Sequence, residues 1–148
     1  MRKGIAANLS LRQRCYLTGS YCFLAEGLAK TGQTEQGLET LAEALAMVEE
    51  TGERYCEAEL HRLRGKLLLV QGEQEAAQAS LEQAIQVARR QEARSWELRA
   101  AIDLARLWRG QAKLDLARQA LSEVYSWFSE GFDTPDLIEA RRILEQIA

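Results

Sequence analysis

The sequence predicts an all-α fold, a right-handed α-solenoid of antiparallel helix pairs with about seven helices in one domain over residues 1–148. Three observations predict it. The composition rests on strong helix formers (Ala, Leu, Glu, Gln, Arg) with a single proline, Pro135, where a sheet-rich domain needs more turn residues and β-branched side chains. The phrase "LAKTGQTEQGLETLAEAL" at 28–45 returns as "LLVQGEQEAAQASLEQAI" at 68–85. Within a copy, apolar residues such as Leu38, Leu41, Leu45 and Val48 recur at helical spacing with polar residues between them. One helix pair cannot hide its own apolar face, so neighbouring copies stack into a continuous core.

Taken in order, the elements are three repeats, at about 10–50, 51–92 and 93–129, and a closing helix at 135–147. A shift of 40 residues superposes Ala25, Gly65 and Ala105, then Leu28, Leu68 and Trp108, then Gly32, Gly72 and Ala112. Further on it superposes Gly37, Ala77 and Ala117, then Leu41, Leu81 and Leu121, then Ala44, Ala84 and Val124. Gly32 and Gly72 fall where one helix stops and the next begins, a place for positive φ. Gly65 lies inside a helix, where glycine costs about 1 kcal/mol relative to alanine, so another backbone is expected close by. "ETGERY" at 50–55 and "QEARSW" at 91–96 read as links between pairs. "GFDTPDL" reads as a sharp helix start, with Thr134 as N-cap, Pro135 in the first turn and Asp136 favourable to the helix dipole.

Composition also excludes several classes. A net charge of −3 gives no argument for nucleic acid, and no run approaches the roughly 20 apolar residues of a membrane helix. The basic start "MRKGIAANLSLRQRC" lacks the apolar segment of a secretory signal, so a cytoplasmic location is expected. Cys15, Cys22 and Cys56 form an odd, widely spaced set without CxxC or His pairing, and reduced thiols are expected rather than a disulfide or zinc framework. The one Gly-Lys pair, Gly65-Lys66, precedes Leu67 and lacks the upstream glycine of a phosphate loop. His61 is the single histidine and has no catalytic partners placed beside it. Adjacent acids such as Glu49 and Glu50 point in different directions on a helix, so they read as solvated surface. Trp96, Trp108, Trp127 and Phe128 are expected in core or inter-repeat packing. No catalytic residue, cofactor or metal is expected.

The pattern resembles the tetratricopeptide repeat, whose motif runs Trp-x-x-Leu-Gly-x-x-Tyr and then Ala-x-x-x-Phe-x-x-Ala. The first copy supplies Tyr21, Leu24, Ala25, Leu28, Gly37, Leu41 and Ala44; the third supplies Ala101, Leu104, Ala105, Trp108, Ala117, Leu121 and Val124. The second departs from it, with His61 in the Trp slot and Arg64 in the Leu slot. The period of 40 exceeds the usual period of about 34. "TGERYCEAELHRLRGKLLL", "ARSWELRAAIDLARLW" and "GFDTPDLIEARRIL" further resemble the C-terminal tail of bacterial adenylate/guanylate-cyclase and ATPase fusion regulators. That resemblance implies a non-catalytic interaction module in bacterial signalling or transcriptional regulation. It also implies a stand-alone or shortened relative, or a piece of a longer protein, since no residue corresponds to the cyclase or ATPase parts.

In tetratricopeptide stacks the first helix of each pair lines a concave groove. By register that face is expected to carry Glu59, Arg62, Leu63, Lys66 and Leu69 from the second copy, and Arg99, Ile102, Asp103, Arg106 and Arg109 from the third. Five basic residues among these ten predict a basic groove, suited to an acidic peptide or protein partner through arginine forks. The peptide clamp that recognises chaperone tails uses asparagines, where this chain has Phe23, Leu63 and Asp103, so that version is rejected. The alternative expectation is a homodimer or scaffold element, associating through repeat ends or the N-terminal helix near Phe23 and Leu24.

Overall fold

The computed structural model describes residues 17–148. Over that span the chain is all-helical, with seven helices: α1 Leu17–Lys30, α2 Thr34–Thr51, α3 Glu57–Val70, α4 Gln74–Arg90, α5 Arg94–Gly110, α6 Leu114–Tyr125 and α7 Pro135–Gln146. The part of the first repeat before residue 17, with Cys15 and the basic start, lies outside the described residues.

Each helix packs on the next, and the first helices of successive pairs (α1, α3, α5, α7) also touch one another. That second set of contacts turns a chain of hairpins into a stack and puts the first helices side by side along one face.

The turns inside the pairs are one motif used three times. Gly32, Gly72 and Ala112 have φ of 76°, 82° and 60°. In each turn the following amide reaches back to a helix carbonyl: Gln33 to Leu28 at 2.8 Å, Glu73 to Leu68 at 3.0 Å, Lys113 to Trp108 at 2.8 Å. This is the Schellman arrangement, which satisfies carbonyls left open at a helix end. Ala112 adopts the same left-handed backbone without the freedom of glycine.

Small residues meet across each turn: Ala25 with Gly37, Gly65 with Ala77, and, by register, Ala105 with Ala117. A Cβ on Gly65 would sit 2.8 Å from Leu81 Cγ and 3.1 Å from the Ala77 carbonyl oxygen, so only hydrogen fits. Leu41, Leu81 and Leu121 are all fully buried, as their shared register requires.

The core forms two main clusters. One joins α1, α2 and α3 through Leu17, Tyr21, Leu41, Val48, Leu60 and Leu67. The larger joins α4 to α7, centred on α5, through Leu81, Leu98, Leu104, Trp108, Leu121 and Ile143.

Two local expectations need correction. Only the first half of "QEARSW" is link: residues 91–93 separate α4 from α5, residues 94–96 already belong to α5, and the positive φ of Glu92 (55°) lets so short a link reverse the chain. Thr134 occupies the N-cap position of α7, but its hydroxyl makes no cap bond; it donates back to the Gly131 carbonyl at 2.7 Å. Pro135 is in the first turn, as expected.

Candidate binding cleft

The face shared by α1, α3, α5 and α7 carries a polar cleft of about 610 Å³. Seven of the ten expected groove residues line it: Glu59, Arg62, Lys66, Arg99, Ile102, Asp103 and Arg106. Phe23 and Glu26 add to the lining from α1, and Asp136 and Glu139 add to it from α7. Leu69 lines an adjoining hollow of about 420 Å³, which shares Lys66, Asp103 and Arg106 with the cleft.

Two expected residues are placed elsewhere. Leu63 is 6% exposed and packs in the N-terminal core, because Leu60, Leu63 and Leu67 form one apolar stripe on α3. Arg109 lies outside the cleft lining and hydrogen-bonds the Gln146 side chain near the end of α7.

The cleft is not the bare basic face that the sequence predicts. Its lining holds four basic residues (Arg62, Lys66, Arg99, Arg106) against five acids (Glu26, Glu59, Asp103, Asp136, Glu139), and the arginines are already engaged. Arg62 bonds Glu59 through both Nε and Nη2 and reaches across to Asp103 at 2.8 Å. Arg106 takes the other oxygen of Asp103 at 3.2 Å and Glu139 at 2.7 Å. Arg99 bonds Asp136 at 3.0 Å and lies 3.7 Å from Glu59.

The result is a ladder of alternating charge running from α3 across α5 to α7. Burial alone would lower the Arg62 pKa; the hydrogen bonds and charges of Glu59 and Asp103 outweigh it and hold the guanidinium firmly charged. The hydrogen bond from Arg106 likewise holds the Glu139 carboxyl below its ordinary value. Lys66 is exposed and has no ion-pair partner among the described residues.

The repeat register places Glu59 and Asp103 on this face but not their pairing with the arginines, and it misses Asp136 and Glu139. Glu59 and Asp103 each sit three residues before an arginine on the same helix, within reach of its fork. Asp136 and Glu139 come from the closing helix, which carries no copy of the repeat to align with. The i,i+3 spacing is the signal that could have found the Glu59–Arg62 and Asp103–Arg106 ion pairs.

A second pattern at that spacing keeps the 40-residue period. Arg54-x-x-Glu57 and Arg94-x-x-Glu97 lie 40 residues apart and start α3 and α5. Glu57 and Glu97 are buried there, Glu57 held by Arg54 at 3.0 Å and Glu97 by Arg94 at 2.8 Å and by Arg89. These pairs anchor the links between repeats and leave the cleft to the later turns of each helix.

His61 is largely buried, 4.0 Å from Glu57, and burial pulls its imidazole below the ordinary pKa. Trp108 packs in the core with its indole N–H donated to Gln78 at 3.2 Å. Trp96 and Phe128 are partly buried against the core. Trp127 departs from the expectation: it lies just beyond α6, is 62% exposed and carries the Arg94 guanidinium 3.6 Å over its ring. Leu24 is buried in the N-terminal core, so it offers no surface for association, whereas Phe23 is 70% exposed at the cleft rim. Among the described residues no group of three or more His, Cys, Asp or Glu is placed to hold a metal, and no helix is long and apolar enough to cross a membrane.

No protein-family model matches the chain, and no curated protein is significantly similar to it. Its fold resembles that of solved structures, among them BtubC (BKLC) from P. vanneervenii, with a TM-score of 0.76 and 19% sequence identity. The match covers 88% of this chain and 55% of that one. At that identity the likeness is one of fold.

Proposed function

We propose that this chain is a non-catalytic protein-interaction module of the tetratricopeptide type, which holds a peptide or protein segment in the α1–α3–α5–α7 cleft. The setting that the sequence resemblance implies is a bacterial signalling or transcription-regulatory system, inside the cell. The observation that supports this reading is the ion-pair ladder itself: Arg62, Asp103, Arg106, Glu139, Arg99 and Asp136 hold one another in fixed positions across three helices. Fixed, partly exposed charges of both signs lose little entropy on binding, so they favour specificity over bulk attraction.

The balance of charge refines the partner. An occupant carrying both a carboxylate, for Lys66 and the open side of Arg106, and a basic group, for Glu26 and Glu139, fits better than a purely acidic peptide. The test is binding of a displayed peptide library to the full chain and to a Lys66→Glu, Arg106→Glu variant. Peptides selected on the unaltered chain are expected to lose at least about tenfold in affinity on the variant, the cost of one or two charge-assisted contacts. Unchanged binding would remove the cleft from consideration.

Self-association is the second reading, favoured by a different surface. Tyr55 (72% exposed) and Trp127 (62% exposed) stand at the links between pairs, and Tyr55 meets Trp96 edge to face with ring centroids 5.3 Å apart. Exposed aromatics of this kind suit a protein interface. Light scattering over a dilution series distinguishes the readings: a mass that stays at one chain rules the dimer out, and a dimer dispersed by Trp127→Ala supports it.

A further inference from the structure

Cys22 and Cys56 are remote in sequence, yet they meet in the fold. Cys22 is on α1; Cys56 is the N-cap residue of the 14-residue α3, and its sulfur rests on the α1 face that carries Cys22, close enough for the two thiols to interact by hydrogen bonding. Thr18, one turn before Cys22, lies beside Cys56 and donates its hydroxyl to Glu53 at 3.4 Å. Cys56 Sγ lies against α1 one turn before Cys22: a Cβ on Gly19 would make ordinary contact with it at 3.9 Å. The sequence gives no sign that these two thiols lie together; Cys22 is half-buried and Cys56 buried.

We propose that Cys22 and Cys56 form an oxidisable dithiol, a site at which hydrogen peroxide or a small organic hydroperoxide links α1 to the start of α3 through a reversible disulfide.

The two sulfurs have different roles. Cys56 sits at a helix N-terminus, where open amides favour an anion, and it accepts the Cys22 hydrogen bond. That bond, opposed by burial and aided by Thr18, brings its thiol down to about 7 despite the nearby carboxylates of Glu53 and Glu59. Cys22 is driven the opposite way, first by its hydrogen bond to Cys56 and then by burial and the charges of Cys56 and Glu59, with Arg62 opposing, so it keeps its proton.

Cys56 thiolate therefore attacks the peroxide. An S–O bond forms, the O–O bond breaks, and the departing hydroxide takes up the proton lost when the thiol ionised. Cys22 then attacks the sulfenic sulfur: the S–S bond forms, the S–O bond breaks, and the hydroxyl leaves as water with the Cys22 proton. In sum, two thiols and one hydrogen peroxide give one disulfide and two waters. The link would join residues 34 apart in sequence and tie the first pair to the second, next to Phe23 in the sequence of α1. It stands independently of what the cleft binds.

The test treats the reduced full chain with a small excess of hydrogen peroxide. The expected result is an intact mass lower by two hydrogens, a Cys22–Cys56 crosslinked peptide in a non-reducing digest, reversal by dithiothreitol, and a Tm raised by roughly 5 °C or more. Cys22→Ala is expected to abolish that crosslink and leave Cys56 as a sulfenic acid captured by dimedone. Three results would overturn the proposal: no loss of hydrogen, a crosslink that uses Cys15, or direct addition of two oxygens to Cys56 while Cys22 stays a thiol.

Discussion

Gly65 shows how one missing methyl sets the spacing of a helix pair. In an exposed helix its replacement by alanine gains about 1 kcal/mol, but here the new Cβ would meet Leu81 and the Ala77 carbonyl at 2.8 Å and 3.1 Å. Overpacking wins, and Gly65→Ala is expected to lower stability by about 1–3 kcal/mol in urea unfolding. Gly27 is the control: it lies in α1, and a methyl added there would meet nothing within 4 Å, so Gly27→Ala is expected to raise stability by roughly 0.5–1 kcal/mol. A loss at both sites would show that backbone approach is not what selects glycine at 65.

His61 supplies the pH dependence at the same scale. Its folded pKa lies below the ordinary 6.5 because burial disfavours the imidazolium. A lowered folded pKa means that the unfolded chain binds the extra proton first. The contribution to stability is therefore complete above about pH 6.5 and lost as pH falls through the folded value. His61→Gln is expected to flatten this acid-side decline when urea midpoints are compared at about pH 7.5 and about pH 5. Of these two residues, the close approach at Gly65 was legible from its place mid-helix. The Glu57 carboxylate facing His61 was not, since buried acids are uncommon and their partners cannot be read from one sequence.

Among the elements, the helix-ending turns carry the clearest imprint of the repeat. Gly32, Gly72 and Ala112 share one backbone geometry and one pair of hydrogen bonds, although the third lacks the glycine that suits it. Left-handed backbone costs alanine about 1 kcal/mol, partly offset by the greater unfolded freedom of glycine. Ala112→Gly is therefore expected to stabilise the protein by about 0.5 kcal/mol, read as a higher denaturation midpoint at unchanged slope. A lower midpoint would mean that this turn is held by contacts rather than by its backbone. The turns were readable because glycine marks them. The links between pairs were less so: at 91–93 the left-handed residue is Glu92, which gives no such signal, and the expected link therefore runs on into the first turn of α5.

At the scale of the whole molecule, stability is divided between two clusters, with 10 buried residues in the N-terminal one and 18 in the C-terminal one among those described. Stacked repeats exchange support only with their neighbours, so the part with the smaller core opens first. Hydrogen exchange is expected to be at least about tenfold faster in α1 and α2 than in α5, and equal protection along the stack would argue for one cooperative core. The face that the first helices share was legible from the register alone. Its charge was not: α7 has no counterpart in the repeat, and its Asp136 and Glu139 turn a basic row into a balanced ladder. The measurement that bears most directly on the proposed role is the map of amide chemical shifts when the tightest library peptide is titrated into the labelled chain. The expected result is a set of perturbed amides along α3, α5 and α7 around Lys66, Asp103, Arg106 and Glu139. Perturbations gathered instead at Tyr55, Trp96 and Trp127, with the cleft silent, would contradict it.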